Sequence, residues 1–419
     1  MMLNKIMHLS LLLGLIVVTN SCTIGSSTVP NNNIKIVYNF AGNSNGSDQW
    51  ANLTLGSDGF LYGITSRGGR NNSGVIYKIL PSGNNYQVIF DLNNNSNTFA
   101  SLIEYNNQLF GVTQGAGSNN VGTIFKINFD GSNYNLLHSF SIATGAAPTA
   151  NLYWSKYNNK FYGTTKFGGN ESCPLNPESS GSGNIAGCGT IYSFDPSNNN
   201  FSMLYAFDGT VGSEPFFGFT QLDTIPAESN PILYATLGFG GANGFGSLIS
   251  WNMNNENNES PNLVDSFGNN NYDGQCPWPA PTFVNGIAYG STWAGGTSNV
   301  GTIYRFDDAF TENIQFNFIT QTGSRPYSGL LLASDGNLYG TTYDGGTGDC
   351  GPDQYQASGC GTVFKYTPGG QYSVIANFNG NNGSYPRAGL IEVDGKLFGV
   401  TTQGGPANNG VIYQINFTN

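Results

Sequence analysis

Three carboxylates, two guanidinium groups and a set of aromatic rings are the side chains of this 419-residue chain best placed for chemistry. Asp48, Glu214 and Asp344 fall in loops that a repeat, set out below, gathers on one face. A pair of such carboxylates at a set separation can hydrolyse a glycosidic bond, one serving as acid and the other as base or nucleophile. Arg325 and Arg387 belong to the same loops and present donor forks suited to an acidic sugar. Trp50, Phe216, Trp278, Trp293, Tyr327 and Tyr343 share those loops. Rings of this kind stack on the C–H face of a sugar while polar neighbours read its hydroxyls. Their competing role is packing, since buried aromatics are the rule in compact folds.

Other chemistries have little to build on. Of the two histidines, His8 lies in a leader, and His138 falls in a strand at 136–140, where an edge or surface position is expected and a general base is not. No Gly-x-Ser-x-Gly occurs where a strand turns into a helix, so no nucleophile elbow is expected. The cysteines have no accompanying histidines at metal-ligand spacing, and the Asp-Gly pairs serve as turns rather than as an acidic calcium loop. Neither a metal nor a cofactor is expected. A net charge of −11, with 14 basic residues and no run of them, argues against nucleic acid and against an anionic membrane surface.

The amino-terminal stretch reads as an export signal. Lys5 supplies the positive end, and residues 9–18 form an apolar run too short to span a bilayer. A small residue before Cys22 marks that cysteine as a lipidation site, with residues 1–21 removed and 22–33 left as a flexible tether. The expected location is an outer-membrane or cell-surface lipoprotein, otherwise periplasmic or secreted, touching membrane through its lipid alone. Cysteine usage agrees. Cys173 and Cys188 fall in one repeat, and Cys350 and Cys360 fall at the equivalent place in another. Two local disulfides are expected, each stabilising by about 3 kcal/mol in the chain-entropy view. Cys276 is left over, as a thiol or a buried residue.

The elements that must position these residues are announced by a recurring phrase. Its copies are Tyr62-Gly63-Ile64-Thr65, Phe110-Gly111-Val112-Thr113, Tyr162-Gly163-Thr164-Thr165, Tyr289-Gly290-Ser291-Thr292, Tyr339-Gly340-Thr341-Thr342 and Phe398-Gly399-Val400-Thr401, with Tyr234-Ala235-Thr236-Leu237 a degraded seventh. A period near fifty residues that survives insertions means stacked supersecondary units. Each unit reads as four strands, a to d. In the sixth these are 328–333, 338–343, 361–366 and 371–378. Pairs such as Asp58-Gly59, Asn285-Gly286 and Asp394-Gly395 tolerate positive φ, so strands a and b are expected to form tight hairpins. The fold class is therefore all-β, a seven-bladed propeller of four-stranded antiparallel blades over residues 34–417. The chain begins with a d-like strand at 34–40 and ends on a c-like strand at 410–415. The first is expected to complete the last blade and close the ring. The motif Gly is expected to let neighbouring blades approach, and the motif Thr to lend its hydroxyl to the following loop.

The phrase Leu338-Tyr339-Gly340-Thr341-Thr342 leading to Gly361-Thr362-Val363-Phe364-Lys365 resembles the GloVer-type (choice-of-anchor) tandem repeat of bacterial exported proteins. The fourth repeat departs from it, with Ala235 for Gly and Gly246-Ser247-Leu248-Ile249 for Gly-Thr-Ile-aromatic, which blurs the bounds of that blade. The resemblance implies architecture and export rather than a reaction. Function is then sought where the repeats differ. The b–c and d–a loops share one face, and the residues just before strand a are Trp50, Phe99, Thr149, Phe216, Trp278, Tyr327 and Arg387. The expectation is a monomeric module binding a glycan or protein at that face. The alternatives are a polysaccharide hydrolase or lyase using Asp48, Glu214 or Asp344, and a protein scaffold with no small ligand.

Overall fold

The computed structural model describes residues 33–417 apart from 94–95, 174–184, 256–258, 271, 308–311 and 352–357. The expected signal at 1–21, Cys22 and the tether to residue 32 lie outside the described residues. Seven antiparallel sheets follow one another as blades. Blade 1 is Thr54–Leu55, Leu61–Ile64, Val75–Ile79 and Gln87–Asp91, running a to d from the axis outward. Blade 7 takes its inner three strands, Ile391–Val393, Lys396–Val400 and Val411–Asn416, from the end of the chain. Its outer strand is Ile34–Asn39, with Ile36 opposite Tyr413 and Asn39 opposite Val411. The ring is closed as the ends of the sequence foretold. Side chains link the inner strands across the seams as well: the Gly389 amide donates to Asn52 Oδ1 at 2.6 Å, the Asn52 amide to Ser101 Oγ at 2.8 Å, and the Ser101 amide to Asn151 Oδ1 at 2.6 Å.

The motif glycine works differently from expectation. A Cβ on Gly63, Gly163 or Gly290 would sit 2.2–2.3 Å from the ring or hydroxyl of Tyr77, Tyr192 or Tyr304. Each of these tyrosines faces the glycine across the b–c ladder of the same blade. The close approach is therefore within a blade, of ring on backbone, rather than between blades. Blade 4 proves the rule by exchange, since Ala235 stands opposite Ile249 and the smaller partner leaves room for the extra methyl. That blade also loses its inner strand to a single bridge, Thr220 to Tyr234. The intervening segment contains Pro226 and Pro231, which cannot donate to a ladder. The motif threonine behaves as expected: Thr65 Oγ1 donates to the Arg67 carbonyl at 2.9 Å and accepts from the Val75 amide at 3.0 Å. The two disulfides are Cys173–Cys188 and Cys350–Cys360, and Cys276 stays outside them, partly buried.

Outer strands are held to one another by a repeated stack. Every c–d pair carries a register shift at the same place. The residue at it lies flat on a ring at or beside the start of the next outer strand. Tyr38 meets Tyr86 at 3.8 Å, Phe90 meets Tyr134 at 4.3 Å, His138 meets Phe201 at 3.8 Å, and Phe316 meets Tyr372 at 3.9 Å, all within 9° of parallel. His138 is thus a stacking residue in a seam, not the surface or edge residue expected of it. Burial pulls its pKa from 6.5 down to about 4, because the neutral ring is the form that packs. The unfolded chain takes up the proton near 6.5 and the folded one resists until about 4, so stability from this group is full above 6.5 and is lost as the pH falls toward 4. His138→Phe should keep the stack and remove this loss. Thermal melts at stepped pH should show wild type falling further than the variant between pH 6.5 and 4, with the two parallel above that window.

Candidate functional site

The face of interest is built from one unusual backbone position used in every blade. Asp48, Asn97, Ala147, Glu214, Cys276, Arg325 and Tyr385 all have positive φ, between 24° and 56°. Non-glycine residues rarely adopt this conformation, and it persists only where the surroundings fix it. Here they do. The carbonyls of these seven residues accept from the amides of Ser66, Gln114, Lys166, Gly238, Trp293, Tyr343 and Thr402 in the b–c loops. The amides of Ala147, Glu214, Cys276, Arg325 and Tyr385 donate back to the preceding blade, at Val121, Cys188, Phe245, Val300 and Cys360. Proline follows in these five cases and seats against the glycine that opens the preceding blade's strand c; a Cβ on Gly122 would lie 2.4 Å from Pro148. Two residues further on, the side chain before strand a is thrown toward the axis.

Those side chains meet. Tyr327, buried at 6% exposure, stands edge-on to Trp278 at 4.5 Å, to Trp50 at 6.0 Å and to Phe216 at 6.2 Å. Phe216 stacks on Trp278 at 5.4 Å, and Trp278 on Trp293 at 5.6 Å. The Arg387 guanidinium lies 3.6 Å over Trp50 and 4.6 Å over Tyr343, and donates to the Tyr343 hydroxyl at 3.2 Å. Rings from blades 1, 4, 5 and 6 therefore meet in one partly buried cluster. Guanidinium over indole contributes on the order of 1–2 kcal/mol when partly desolvated, enough to fix Arg387 in place.

Each candidate carboxylate is answered by a cation, not by a second carboxylate. Asp48 accepts from Trp50 Nε1 at 2.9 Å and pairs with Arg67 at 3.4 Å. Glu214 is buried beside Lys166 at 3.4 Å; desolvation raises its pKa and the lysine opposes that rise. Asp344, fully buried, accepts from Ser324 and from Arg325, whose guanidinium also lies 5.4 Å from the Trp293 ring. Paired acids of this kind hold loops.

One accessible part of the face is a recess of about 360 Å³ on the seam between blades 7 and 1, lined by Ser47, Asp48, Trp50, Arg67, Arg387, Thr402, Gln403, Asn408 and Asn409. Asp48, Trp50 and Arg387 were singled out from the sequence. The b–c loop of blade 7 was not, its only signal being membership of the same loop class. A larger recess of about 490 Å³ lies on the outer flank of blades 4 and 5 and contains none of the residues singled out from sequence.

Fold and face together define a seven-bladed propeller with an aromatic cluster on a loop-built rim. The chain belongs to the Gloeobacter/Verrucomicrobia repeat family, whose model matches residues 17–226 and 179–353. No curated protein matches it. Among solved structures, an oligogalacturonate lyase in complex with manganese is similar at 11% identity and a TM-score of 0.55, covering 92% of this chain and 93% of that one. A gluconolactonase from Xanthomonas campestris is similar at 12% identity and a TM-score of 0.42, covering 91% and 88%. These likenesses are of fold alone.

Burial separates the acids in a testable way. Asp344→Asn leaves the Arg325 cation short of its buried partner and should cost about 3 kcal/mol, read as a lowered urea midpoint. Asp48→Asn breaks an exposed pair at a left-handed position that asparagine tolerates, and should change the midpoint by less than about 0.5 kcal/mol.

Proposed function

We propose that this protein is an exported binding module that takes a glycan at the recess between blades 7 and 1. The observation that carries the reading is the lining itself: an indole and two guanidinium groups beside a carboxylate, two hydroxyls and three side-chain amides. Donors and acceptors of this density suit a hydroxyl-rich ligand, and the volume suits one or two sugar units. Trp50 offers an apolar edge whose orientation Arg387 secures from one side and Phe99, 4.4 Å away, from another. Phe216, Trp278, Trp293, Tyr327 and Tyr343 then act as the support behind the recess, and Arg325 as the clamp on Asp344.

Two disulfides support export, since such bonds persist outside the reducing cytosol. In this reading Cys22 carries a lipid and the propeller sits at the cell surface on its tether. A hydrolase or lyase is the weaker reading, because Asp48, Glu214 and Asp344 already hold cations in the fold. No cofactor or nucleic acid enters it.

A glycan array with the purified propeller should give a confined set of hits. Titration of a hit should show at least roughly tenfold weaker binding for Trp50→Ala and for Gln403→Ala, a loss above about 1.4 kcal/mol. An array with no hits alongside a protein captured at this face, or hits indifferent to both substitutions, would replace the glycan with a protein partner or remove the recess from consideration. Cys22→Ser should move the expressed protein from the membrane to the soluble fraction; unchanged fractionation would rule out the lipid anchor.

A further inference from the structure

At one outer seam carboxyl groups stand where the stacked rings stand at others. In the c–d ladders, Asp265 stands opposite Leu248, the place held by Phe90 opposite Ile76, His138 opposite Ile124 and Phe316 opposite Ile303. Glu312 stands opposite Phe306, as Tyr372 stands opposite Tyr366. At the seam between blades 4 and 5 a pair of carboxyl side chains thus replaces the ring pair found at four other seams. Asp273, buried, joins them; its own oxygens accept from the Asn269 amide at 2.7 Å and the Gly274 amide at 2.8 Å. The recess of about 490 Å³ at this seam is lined by these three acids with Asn269, Asn270, Tyr272, Ile314 and Asn317, and among the described residues no Lys, Arg or His is in its lining. The buried Tyr304 faces the cluster from strand c of blade 5 and supplies no cation either. Among the described residues no group of acids is arranged to hold a metal ion.

Three carboxylates without a cation in a half-buried seam repel one another, and burial adds a desolvation cost to each charge. One proton resolves the conflict. A protonated Glu312 can donate to the Asp273 carboxylate and leave a single shared charge. We infer that the seam between blades 4 and 5 is a proton-dependent joint: closed when Glu312 carries a proton, and loosened when that proton is released to solvent. Desolvation, then the charge of Asp273, a hydrogen bond to it and the charge of Asp265 push the Glu312 carboxyl up from 4.5 to about 10. The sign follows. Closure is fully supported below the usual carboxyl range near 4.5 and is lost progressively as the pH rises toward 10. Blade 4 is suited to such movement, because its innermost strand is a single bridge. The loop that carries Asp273 at the seam runs on to Trp278 in the axial cluster, so loosening at the flank is passed to the rim.

Hydrogen exchange on the intact protein, corrected for the intrinsic pH dependence of exchange, tests the joint. Protection of amides in Asn262–Ser266 and Glu312–Asn317 that report on the seam should fall by up to roughly tenfold per pH unit between about pH 6 and 9, the limit for one released proton. Tyr372–Asn377, at the Phe316–Tyr372 seam of the same molecule, supplies the control and should stay level. Glu312→Gln, which keeps a donor for Asp273, should flatten the slope. So should the double change of Asp265→Phe with Glu312→Tyr, which installs the ring pair of the neighbouring seam. A wild-type slope at this seam no steeper than at the control seam would overturn the inference, as would a slope unchanged in Glu312→Gln.

Discussion

The antiparallel ladder between Ile34–Asn39 and Val411–Asn416 is the contact on which everything else rests. A blade buries each face only against a neighbour, so an open arc would leave two blade faces in water. The cluster across the closing seam shows what that would expose: Leu53, Val75 and Tyr77 on one side, and Phe40, Ala388, Phe398, Val400 and Ile412 on the other, all buried. At about 25 cal/mol per Å² of apolar surface, their burial supplies many times the stabilisation of any single hydrogen bond in the ladder. The candidate recess straddles this same seam, drawing Trp50 from one end of the chain and Arg387, Thr402 and Gln403 from the other. Closure and site are one event.

Repetition does the structural work and its exceptions do the rest. In every blade a residue with positive φ ties its own b–c loop, and in five blades it also ties the preceding blade, through the backbone alone. Because the backbone bears that load, the type of side chain at the position is left free to vary. That is how Asp, Asn, Ala, Glu, Cys, Arg and Tyr can all occupy one geometric position. The same division governs the outer seams, where ring pairs fill four and Asp265 with Glu312 fill another. Departures at Ala235 and Ile249 compensate one another in size and leave the packing intact. The departure at Asp265 and Glu312 has no such compensation in size or charge, which is why it stands out as chemistry.

Local pattern made most of the architecture legible. Blade number, the a–b hairpins, the Cys173–Cys188 and Cys350–Cys360 pairs and the closing strand all follow from periodicity, turn chemistry and equivalence between repeats, each of which acts over a few residues or one repeat. The loops of the rim were equally legible as a class. The role of the motif glycine was not, because a cross-strand ring contact and an interblade contact impose the same demand for a missing Cβ. His138 was misplaced for a related reason: a strand residue shows its period in sequence but not which neighbour it lies against.

What the chain decided by itself is the set of side chains delivered to one face, since that depends on loop order around a closed ring. Only the tertiary structure decided which of them touch. Tyr327 reaches Trp50 and Phe216 across the axis, Arg387 comes to lie over Trp50 from 337 positions away in sequence, and Asp344 sinks beneath Arg325. Distances across a ring are set by the twist and packing of all seven blades together, and no segment of sequence carries that sum.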